Sequence, residues 1–505
     1  MLIAVLTTTV SIIIALPLAF AGARYRFPLK RFWSAAVLLP LILPPFVGAI
    51  GFRAIVGRNG LLNTLLGTEY DFLGEWKLTG VVIVEALHLF PIIYLNASAA
   101  LANLDPALDE AADNLGSGPW RRLFRVTLPL VRPGIFAGAT IVFIWSFTEL
   151  GTPLIFEFYK TTPVQIFERI SQLDTSGQPY ALTLIMLAFA LGFYLIGKVA
   201  FGREAHAMYS KASRAASERP LSRPAGAIIS GAFAIVTLAA AMPHVGVIFT
   251  GFAVPGSWYR SLLPSHMTLD HYATALSDQV SSGAIFNSFV YSLFAVVVCI
   301  LLGLLAAYTL VRLRPRGRSV LDTLTMLPLA VPGLVLAFGY VALTLRWPFA
   351  GGPLGGFVSV FGGEPNPVPL LVVAYAVRRL PYMVRSAAAG LEQTSGELEE
   401  AAMNLGASRL TAVRVVIVPL ILANLIAGAL LVFSFSMLEV SDSLILAQQA
   451  RHYPVTRAIY AFTNRLGDGP YVASAMGTWA MALLAVTLIG ASAMLGRKMG
   501  SIFRV

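Results

Sequence analysis

Charged residues are scarce in this sequence, and their scarcity decides its class. Only 12% of the 505 residues are Asp, Glu, Lys or Arg, whereas 57% are hydrophobic, and the mean hydropathy is +0.76. A soluble domain carries about twice that share of charge. The composition therefore excludes an ordinary soluble protein and predicts a chain that faces lipid over most of its length.

Motifs that carry chemistry are also missing. The single Cys299 lies in an apolar run and cannot form an internal disulfide, and no Cys/His cluster among the scattered histidines has metal-ligand spacing. No Ser/His/Asp or paired-carboxylate arrangement indicates catalysis. No G-x-x-x-x-G-K-[ST] loop occurs, so any phosphate binding must come from a partner. We therefore expect a chain that is not an enzyme and holds no metal or cofactor of its own.

Long apolar runs predict about eleven membrane spans, since each crossing needs about 20 apolar residues. Five spans fall in the first half and six in the second, at about 1–22, 33–57, 80–101, 132–156, 181–202, 225–253, 284–311, 320–345, 368–388, 419–446 and 472–495. The net charge of +11 comes from basic residues that cluster in alternate loops. Such loops face the cytoplasm, so the charge indicates membrane topology and not nucleic-acid binding. The first span begins at Met1, and we expect either a translocated N-terminus or one more helix upstream.

The two halves of the chain repeat each other. Glu110, Ala111, Ala112, Gly116 and Pro129 correspond at one constant offset to Glu400, Ala401, Ala402, Gly406 and Pro419. An even number of spans separates equivalent helices, so the copies point the same way. This predicts an all-α membrane protein with parallel tandem repeats at 1–203 and 225–505, joined by a basic cytoplasmic linker at 204–224.

The best-preserved part of the repeat is a polar segment at 105–133 and 395–423. Asp105 and Ser395 are suitable N-caps for short helices, "ALDEAADNL" and "ELEEAAMNL", which Gly116 and Gly406 are expected to end in the left-handed conformation. A second helix is expected to reach Pro129 or Pro419, where the chain turns into the next span. One copy alone could be an interfacial amphipathic helix. Two copies with the same spacings favour a rigid docking surface for another protein.

These segments resemble a known motif. "EAADNLG…LP" and "EAAMNLG…VP" are similar to the EAA loop of the membrane subunits of binding-protein-dependent ABC importers with the type I permease fold. The resemblance covers most of the chain and implies that each loop is a coupling helix for a cytoplasmic ATPase. It further implies two ATPase copies, which bind the ATP and Mg²⁺, and a periplasmic or lipid-anchored solute-binding protein.

The resemblance also bears on the substrate. Most members of that family use two separate permease chains, and this sequence resembles the fused kind, although its first half lacks the usual first helix. "FSMLEVSDSLILA" and "TRAIYAFTNRLGDGPYVASAMGTW" are most similar to ferric-iron importers. Thiamine, phosphonate, polyamine and sulfate remain alternative substrates.

Two acids occupy matched positions inside predicted spans. Glu149 and Glu439 each lie 20 residues beyond the proline of their repeat, and a carboxylate inside a membrane is by default functional. They could line a translocation path, or they could cap a helix break or bond a neighbouring helix. A secondary transporter driven by an ion gradient would use the same acids as proton or cation sites, but it has no need of two EAA segments. A membrane-embedded enzyme has no set of residues to support it.

Overall fold

The structure is a computed structural model that describes residues 1–42, 45–70, 74, 76–102, 104–171, 177–201, 219–362 and 364–495. Among these residues nearly all regular structure is helical, as the apolar runs predict. The described strands are β1 (Tyr25–Arg26) and β2 (Arg219–Pro220), which pair in parallel. The chain divides into two compact units, Met1–Gln165 with Ala188–Met267, and Ile166–Leu187 with Thr268–Val505.

The first unit holds the start of the chain and one later helix. Its helices are α1 (Leu2–Arg24), α2 (Lys30–Ala36), α3 (Pro45–Val56), α4 (Leu61–Leu66), α5 (Lys77–Ala102), α6 (Pro106–Asn114), α7 (Pro119–Arg122), α8 (Leu128–Phe147) and α9 (Gly151–Ile155). Two helices, α10 (Thr162–Ser171) and α11 (Gln178–Phe201), contribute residues to both units. The chain then returns to the first unit as α12 (Arg223–Phe252).

The core of the first unit forms where α1, α5, α8 and α12 pack together. Phe233 of α12 is fully buried there, stacks on Phe27 with 5.1 Å between ring centroids, and meets Tyr94 of α5 edge-on. Helix α12 belongs by sequence to the second repeat, yet it packs on helices of the first. The compact units therefore do not follow the sequence repeats, whose boundaries at 203 and 225 remain a prediction.

Helices α3 and α12 approach each other through two glycines. A Cβ atom on Gly246 would lie 2.2 Å from the backbone oxygen of Gly51, and a Cβ on Gly51 would lie 2.1 Å from the oxygen of Pro243. Real Cβ atoms essentially never show such distances. The absence of side chains at both positions is what allows the two backbones to touch.

The second unit contains the remaining helices. They are α13 (Asp270–Ser277), α14 (Gln279–Tyr308), α15 (Arg318–Ala330), α16 (Gly333–Thr344), α17 (Val368–Gln393), α18 (Glu397–Asn404), α19 (Arg409–Ala412), α20 (Val418–Leu420), α21 (Leu422–Met437), α22 (Ser441–Leu446), α23 (Val455–Thr463) and α24 (Gly469–Leu495). Its centre is built from α14, α17, α21 and α24, which pack on one another.

Six helices of the described chain are long and apolar enough to cross a membrane, and up to nine spans result if three bent helix pairs each count as one. The bent pairs are Lys30–Leu41 with Pro45–Leu66, Arg318–Leu329 with Gly333–Thr344, and Arg409–Leu420 with Leu422–Met437. A shorter apolar helix covers Gln178–Phe193. Helix α17 is outside this set, and its interior carries three arginines. The division into five and six spans is thus not established by helix length and composition alone.

Candidate functional site

The first EAA segment forms the predicted pair of short helices. Asp105 caps α6 by accepting a hydrogen bond from the amide of Ala107 at 3.0 Å, and Pro106 occupies the first turn. Gly116 follows with a φ of +72°, in the left-handed region where glycine has no steric penalty. Arg122 of α7 then forms an ion pair back to Asp113 of α6. The two helices are therefore joined by a turn that is fixed both by backbone conformation and by charge.

The second EAA segment has the same shape but different anchors. Gly406 ends α18 with a φ of +94°. The buried Glu399 accepts a hydrogen bond from the hydroxyl of Tyr308 at the end of α14, and the guanidinium of Arg312 lies 3.9 Å away. Arg312 also donates to the backbone oxygen of Thr394 at 2.9 Å. Helix α18 is thus held to the end of a long helix by a small polar network.

Both segments present apolar side chains at matched exposed positions. The first matched position holds Leu108 in one segment and Leu398 in the other, which are 44% and 46% exposed. The second matched position holds Leu115 and Leu405, which are 87% and 90% exposed. Trp120 in the first segment corresponds to Leu410 in the second, and both are more than 70% exposed. Each EAA segment thus exposes three apolar side chains on an otherwise polar surface, which suits it to bind a protein partner.

The other predicted EAA residues lie on these same helices. Ala111, Glu400 and Ala401 are exposed, whereas Ala112 is buried and Ala402 half-buried. Glu110 lies on α6, but its side chain is outside the described part of the structure. The carboxylates at the start of α18 lie where the helix dipole favours negative charge.

Two details of the EAA prediction need correction. Helix α18 begins at Glu397 with Gly396 as its N-cap, so Ser395 lies one position too early, although its hydroxyl still accepts a hydrogen bond from the Glu397 amide at 3.2 Å. The expected turn at the matched prolines occurs only in the second copy, where Arg409–Leu420 and Leu422–Met437 meet at 77°. In the first copy the helix from Trp120 to Phe147 runs on through Pro129, directly after a π-helical stretch at Leu123–Thr127.

Glu149 and Glu439 both lie where a helix breaks. Glu149 follows the end of α8, and its carboxylate accepts a hydrogen bond from the Thr152 amide at 3.2 Å, at the start of α9. Glu439 lies between α21 and α22, is 3% exposed, and pairs with Arg379 and, at 3.4 Å, with Arg378. A helix break is therefore present at both positions. Whether either acid contacts a transported solute remains a prediction.

Comparison with known proteins gives the chain its family. The profile of the family described as "binding-protein-dependent transport system inner membrane component" matches residues 11–203 and again residues 299–500, which together make up most of the chain. The chain belongs to this family. It is a multi-pass protein of the inner membrane, and the profile matches it twice, once in each half of the chain.

Curated relatives of this inner membrane component include ferric and molybdenum transport permeases. It is 28% identical over 458 residues to the ferric transport system permease protein FbpB of Actinobacillus pleuropneumoniae, covering 87% of this chain and 62% of that protein. It is 27% identical to a putative FbpB 1 of Haemophilus influenzae, covering 81% of this chain and 63% of that protein. The molybdenum permease ModB of Escherichia coli is 30% identical over 39% of this chain and 90% of ModB. The chain thus spans less than two thirds of the length of these two FbpB relatives.

The structure of this inner membrane component brings together charged residues that the sequence analysis did not single out. Arg378 and Arg379 of α17 flank Glu439, and Asp442 lies 4.0 Å from Arg378. A Cβ on Gly333 would meet the Arg378 guanidinium at 1.3 Å, so this glycine makes room for the cluster. The available signal was the presence of two adjacent arginines in an apolar run, which need an acid partner inside a membrane.

Glu85 is the second residue that the sequence analysis missed. It lies in the middle of α5, is fully buried, and accepts hydrogen bonds from Ser146 of α8 and, at 3.4 Å, from Thr7 of α1. An acid inside an apolar run was again a sufficient signal. Comparing the repeats reveals only acids that occur in both copies. Glu85 is not one of them, because its equivalent in the second copy is Tyr375. The described residues contain no group of three or more His, Cys, Asp or Glu able to hold a metal ion.

Proposed function

We propose that this chain is the membrane-spanning permease subunit of an ATP-driven, binding-protein-dependent importer that carries ferric iron across the inner membrane by alternating access. The duplicated EAA segment, with the same three apolar side chains exposed in each copy, is the observation that carries this proposal. The family supports the class of transporter, and the names of the ferric transport relatives support the substrate. An ion-gradient carrier would have no use for two such segments.

The proposal includes an architecture of eleven spans. The six long helices, the three bent pairs, the short apolar helix at Gln178–Phe193 and α17 together supply that number. Five of these fall in the first half of the chain and six in the second. Basic loops then alternate with loops poor in lysine and arginine, as the positive-inside rule requires.

The proposal also includes partners. Two copies of a cytoplasmic P-loop ATPase would each receive one EAA segment and would bind the ATP and Mg²⁺, since the sequence has no P-loop. A periplasmic or lipid-anchored solute-binding protein would deliver the substrate. The chain itself would catalyse no reaction. In each EAA segment the glutamate and the exposed alanine, Ala111 or Ala401, would contact the ATPase. The second alanine would pack inward, the glycine would fix the turn, and the proline would lie where the segment joins the following span.

The test is reconstitution of the chain with its ATPase in proteoliposomes. Binding proteins loaded with ferric iron, thiamine, phosphonate, polyamine or sulfate are added in turn, and ATP hydrolysis and solute uptake are measured. We expect the ferric form to stimulate hydrolysis and iron to accumulate. ATP-independent uptake that an ionophore abolishes would instead establish a secondary transporter, and stimulation by another loaded protein would correct the substrate.

A pair of matched variants tests the docking surface. Leu405→Glu places a charge on the 90% exposed leucine of the second EAA segment, whereas Leu466→Glu does the same on a 94% exposed leucine outside it. Neither change disturbs a buried contact. We expect Leu405→Glu alone to reduce co-purification of the ATPase and ATP-driven uptake. Equal ATPase retention by the two variants would count against docking at this segment.

A further inference from the structure

Helix α18 of the second EAA segment turns a charged side chain inward. All eight of its residues are described, and Glu399 is the only buried one, whereas the neighbouring Leu398 is 46% exposed. An amphipathic helix on a protein surface usually has the opposite arrangement, with its apolar face inside. The most deeply buried contact of α18 is therefore a polar one.

Glu399 has a single hydrogen-bond donor among the described residues. This donor is the hydroxyl of Tyr308, the last residue of α14, which is itself buried. The guanidinium of Arg312 lies 3.9 Å from the carboxylate, which makes an ion pair but is too long for a hydrogen bond. Loss of one partner of a buried hydrogen bond leaves the other unsatisfied. The Tyr308 hydroxyl is thus the specific link between α14 and α18.

Arg312 fixes the start of the same segment. Its Nη2 atom donates at 2.9 Å to both the backbone oxygen and the hydroxyl oxygen of Thr394, which lies two residues before the N-cap of α18. Arg312 belongs to a π-helical turn, Thr309–Leu313, that continues α14 directly after Tyr308. Such turns are frequent at functional sites. The end of α14 therefore holds both the entry to α18 and the first turn of that helix.

Helix α14 carries this link into the centre of the second unit. It packs against α17 and α21. Helix α21 in turn ends at the break that holds Glu439, which pairs with Arg379 of α17. Energetic coupling between distant sites is carried by hydrogen-bond networks and rigid elements of this kind. A displacement of α18 that α14 follows would thus reach the helices at the core of this unit.

The first repeat cannot form the same link. At the offset that matches the arginines Arg24 and Arg312, the counterpart of the tyrosine is Phe20, which has no hydroxyl. Arg24 donates at 2.9 Å to the hydroxyl of Thr127, which lies where the first EAA segment ends and α8 begins. The two EAA segments are therefore joined to the preceding long helix by different contacts.

We propose that Tyr308 is a positioning residue for transport, which through Glu399 holds α18 to α14 so that a displacement of α18 by the bound ATPase moves α14 with it. The role in transport rests on the proposed function, whereas the link between the two helices does not. Without the hydroxyl, α18 still presents its exposed leucines to the ATPase, but α14 no longer follows its movement. The second EAA segment thus transmits motion through a hydroxyl contact that the first segment cannot form.

Hydrogen exchange tests the link without any transport. Tyr308→Phe removes only the hydroxyl and gives this position the residue type of the first repeat. Tyr291→Phe removes a hydroxyl from the same helix and serves as the control. Amide exchange at 309–313 and 397–404 is measured for the full-length chains in detergent. We expect exchange in both segments to rise at least fivefold in Tyr308→Phe and to stay unchanged in Tyr291→Phe. Equal exchange in wild type and Tyr308→Phe would overturn the proposal.

The number of solute molecules moved per ATP hydrolysed tests the role in transport. The chain and its ATPase are reconstituted with whichever loaded binding protein stimulates hydrolysis by the wild type. We expect Tyr308→Phe to retain the ATPase and at least half of the stimulated hydrolysis, but to move at least fivefold less solute per ATP. Glu399→Gln keeps an oxygen that accepts from Tyr308, so its ratio should stay within twofold of the wild type. A purely structural role would lower abundance and leave the ratio unchanged in Tyr308→Phe, and that result would refute the positioning role.

Failure of this proposal differs from failure of the proposed function. If the wild type transports solute with ATP and Tyr308→Phe has the same ratio, the importer proposal stands and the positioning role fails. If the wild type shows no ATP-driven uptake with any loaded binding protein, the importer proposal fails together with the role in transport. The exchange measurement then decides the link between α14 and α18 by itself.

Discussion

The matched acids Glu149 and Glu439 have different neighbours, and this difference predicts different consequences of removing their charge. Glu439 is buried between Arg378 and Arg379, so Glu439→Gln leaves two largely buried guanidinium groups with Asp442 as their nearby acid. Breaking a buried ion pair on one side costs about 3–5 kcal/mol. We therefore expect a lower melting temperature and lower abundance for this variant, measured by thermal unfolding of the purified chain.

Glu149→Gln is the matched control for that measurement. Its carboxylate is half-buried and bonds to a backbone amide that glutamine can also satisfy, so the expected loss is about 1 kcal/mol or less. A Glu439→Gln variant as stable as the wild type would show that the arginines are solvated or paired elsewhere. The sequence could identify both acids as unusual, but it could not predict that Glu439 pairs with two arginines, because these arginines come from a helix distant in the chain.

At the scale of the element, the glycine turn of each EAA segment determines the direction of the helix that follows. Gly116 and Gly406 both have positive φ, and no atom lies within 4 Å of a Cβ built on either. Valine at these positions therefore meets no neighbour, and its only penalty is backbone strain of roughly 1–3 kcal/mol. We expect Gly406→Val and Gly116→Val to insert normally but to retain less ATPase, as measured by co-purification from membranes. Normal retention and uptake in both variants would contradict the coupling role.

The contact between α3 and α12 depends on glycine because of space and not because of backbone conformation. Gly246→Ala places a methyl group 2.2 Å from the backbone oxygen of Gly51, so the helices must separate. Gly231→Ala, on the same helix, meets no atom within 4 Å and gains helix propensity of about 1 kcal/mol. Thermal unfolding should show destabilisation only for Gly246→Ala, and similar melting temperatures for both variants would mean that α12 does not pack against α3 in this way.

These glycines also show what could be predicted at this scale. The turns at Gly116 and Gly406 follow from a local pattern, a capped helix ending in glycine, and the structure contains both. The Gly51–Gly246 contact depends on which helices become neighbours, and no local pattern specifies that. The same limit explains why the bend after Pro419 and its absence after Pro129 were not anticipated, since similar local sequences lead to different helix paths.

At the scale of the whole molecule, composition and repeat predicted the class, the two halves and the polar segments, and the family match confirmed the class. The number of spans was harder to establish. Helix α17 is buried along much of its length although it carries Arg378, Arg379 and Arg385, so its interior position depends on acids contributed by other elements. In the proposed eleven-span architecture, this charge content keeps α17 out of a span count based on length and composition.

The eleven-span architecture makes a prediction about which side of the membrane each loop faces. A reporter fused after a basic loop, at Arg26, Arg122, Arg214, Arg316 or Arg409, should read cytoplasmic, because short loops rich in Lys and Arg are retained inside. A reporter fused near Gly67, Asp174, Ser265, Gly356 or Asp468 should read external; of all these fusion points, Arg214 and Asp174 fall outside the described residues.

The most informative pair of fusions brackets α17. A span at this helix places Gly356 outside and Arg409 inside, whereas a buried helix that does not cross places both on one side. Expression of each fusion is compared by immunoblot, so that a low signal reflects location and not abundance. Opposite locations at Gly356 and Arg409 would establish α17 as a span despite its arginines. The same location at both would mean that α17 does not cross, which leaves an even number of crossings between Arg26 and Asp468. Asp468 would then lie in the cytoplasm, and the two repeats would no longer be parallel.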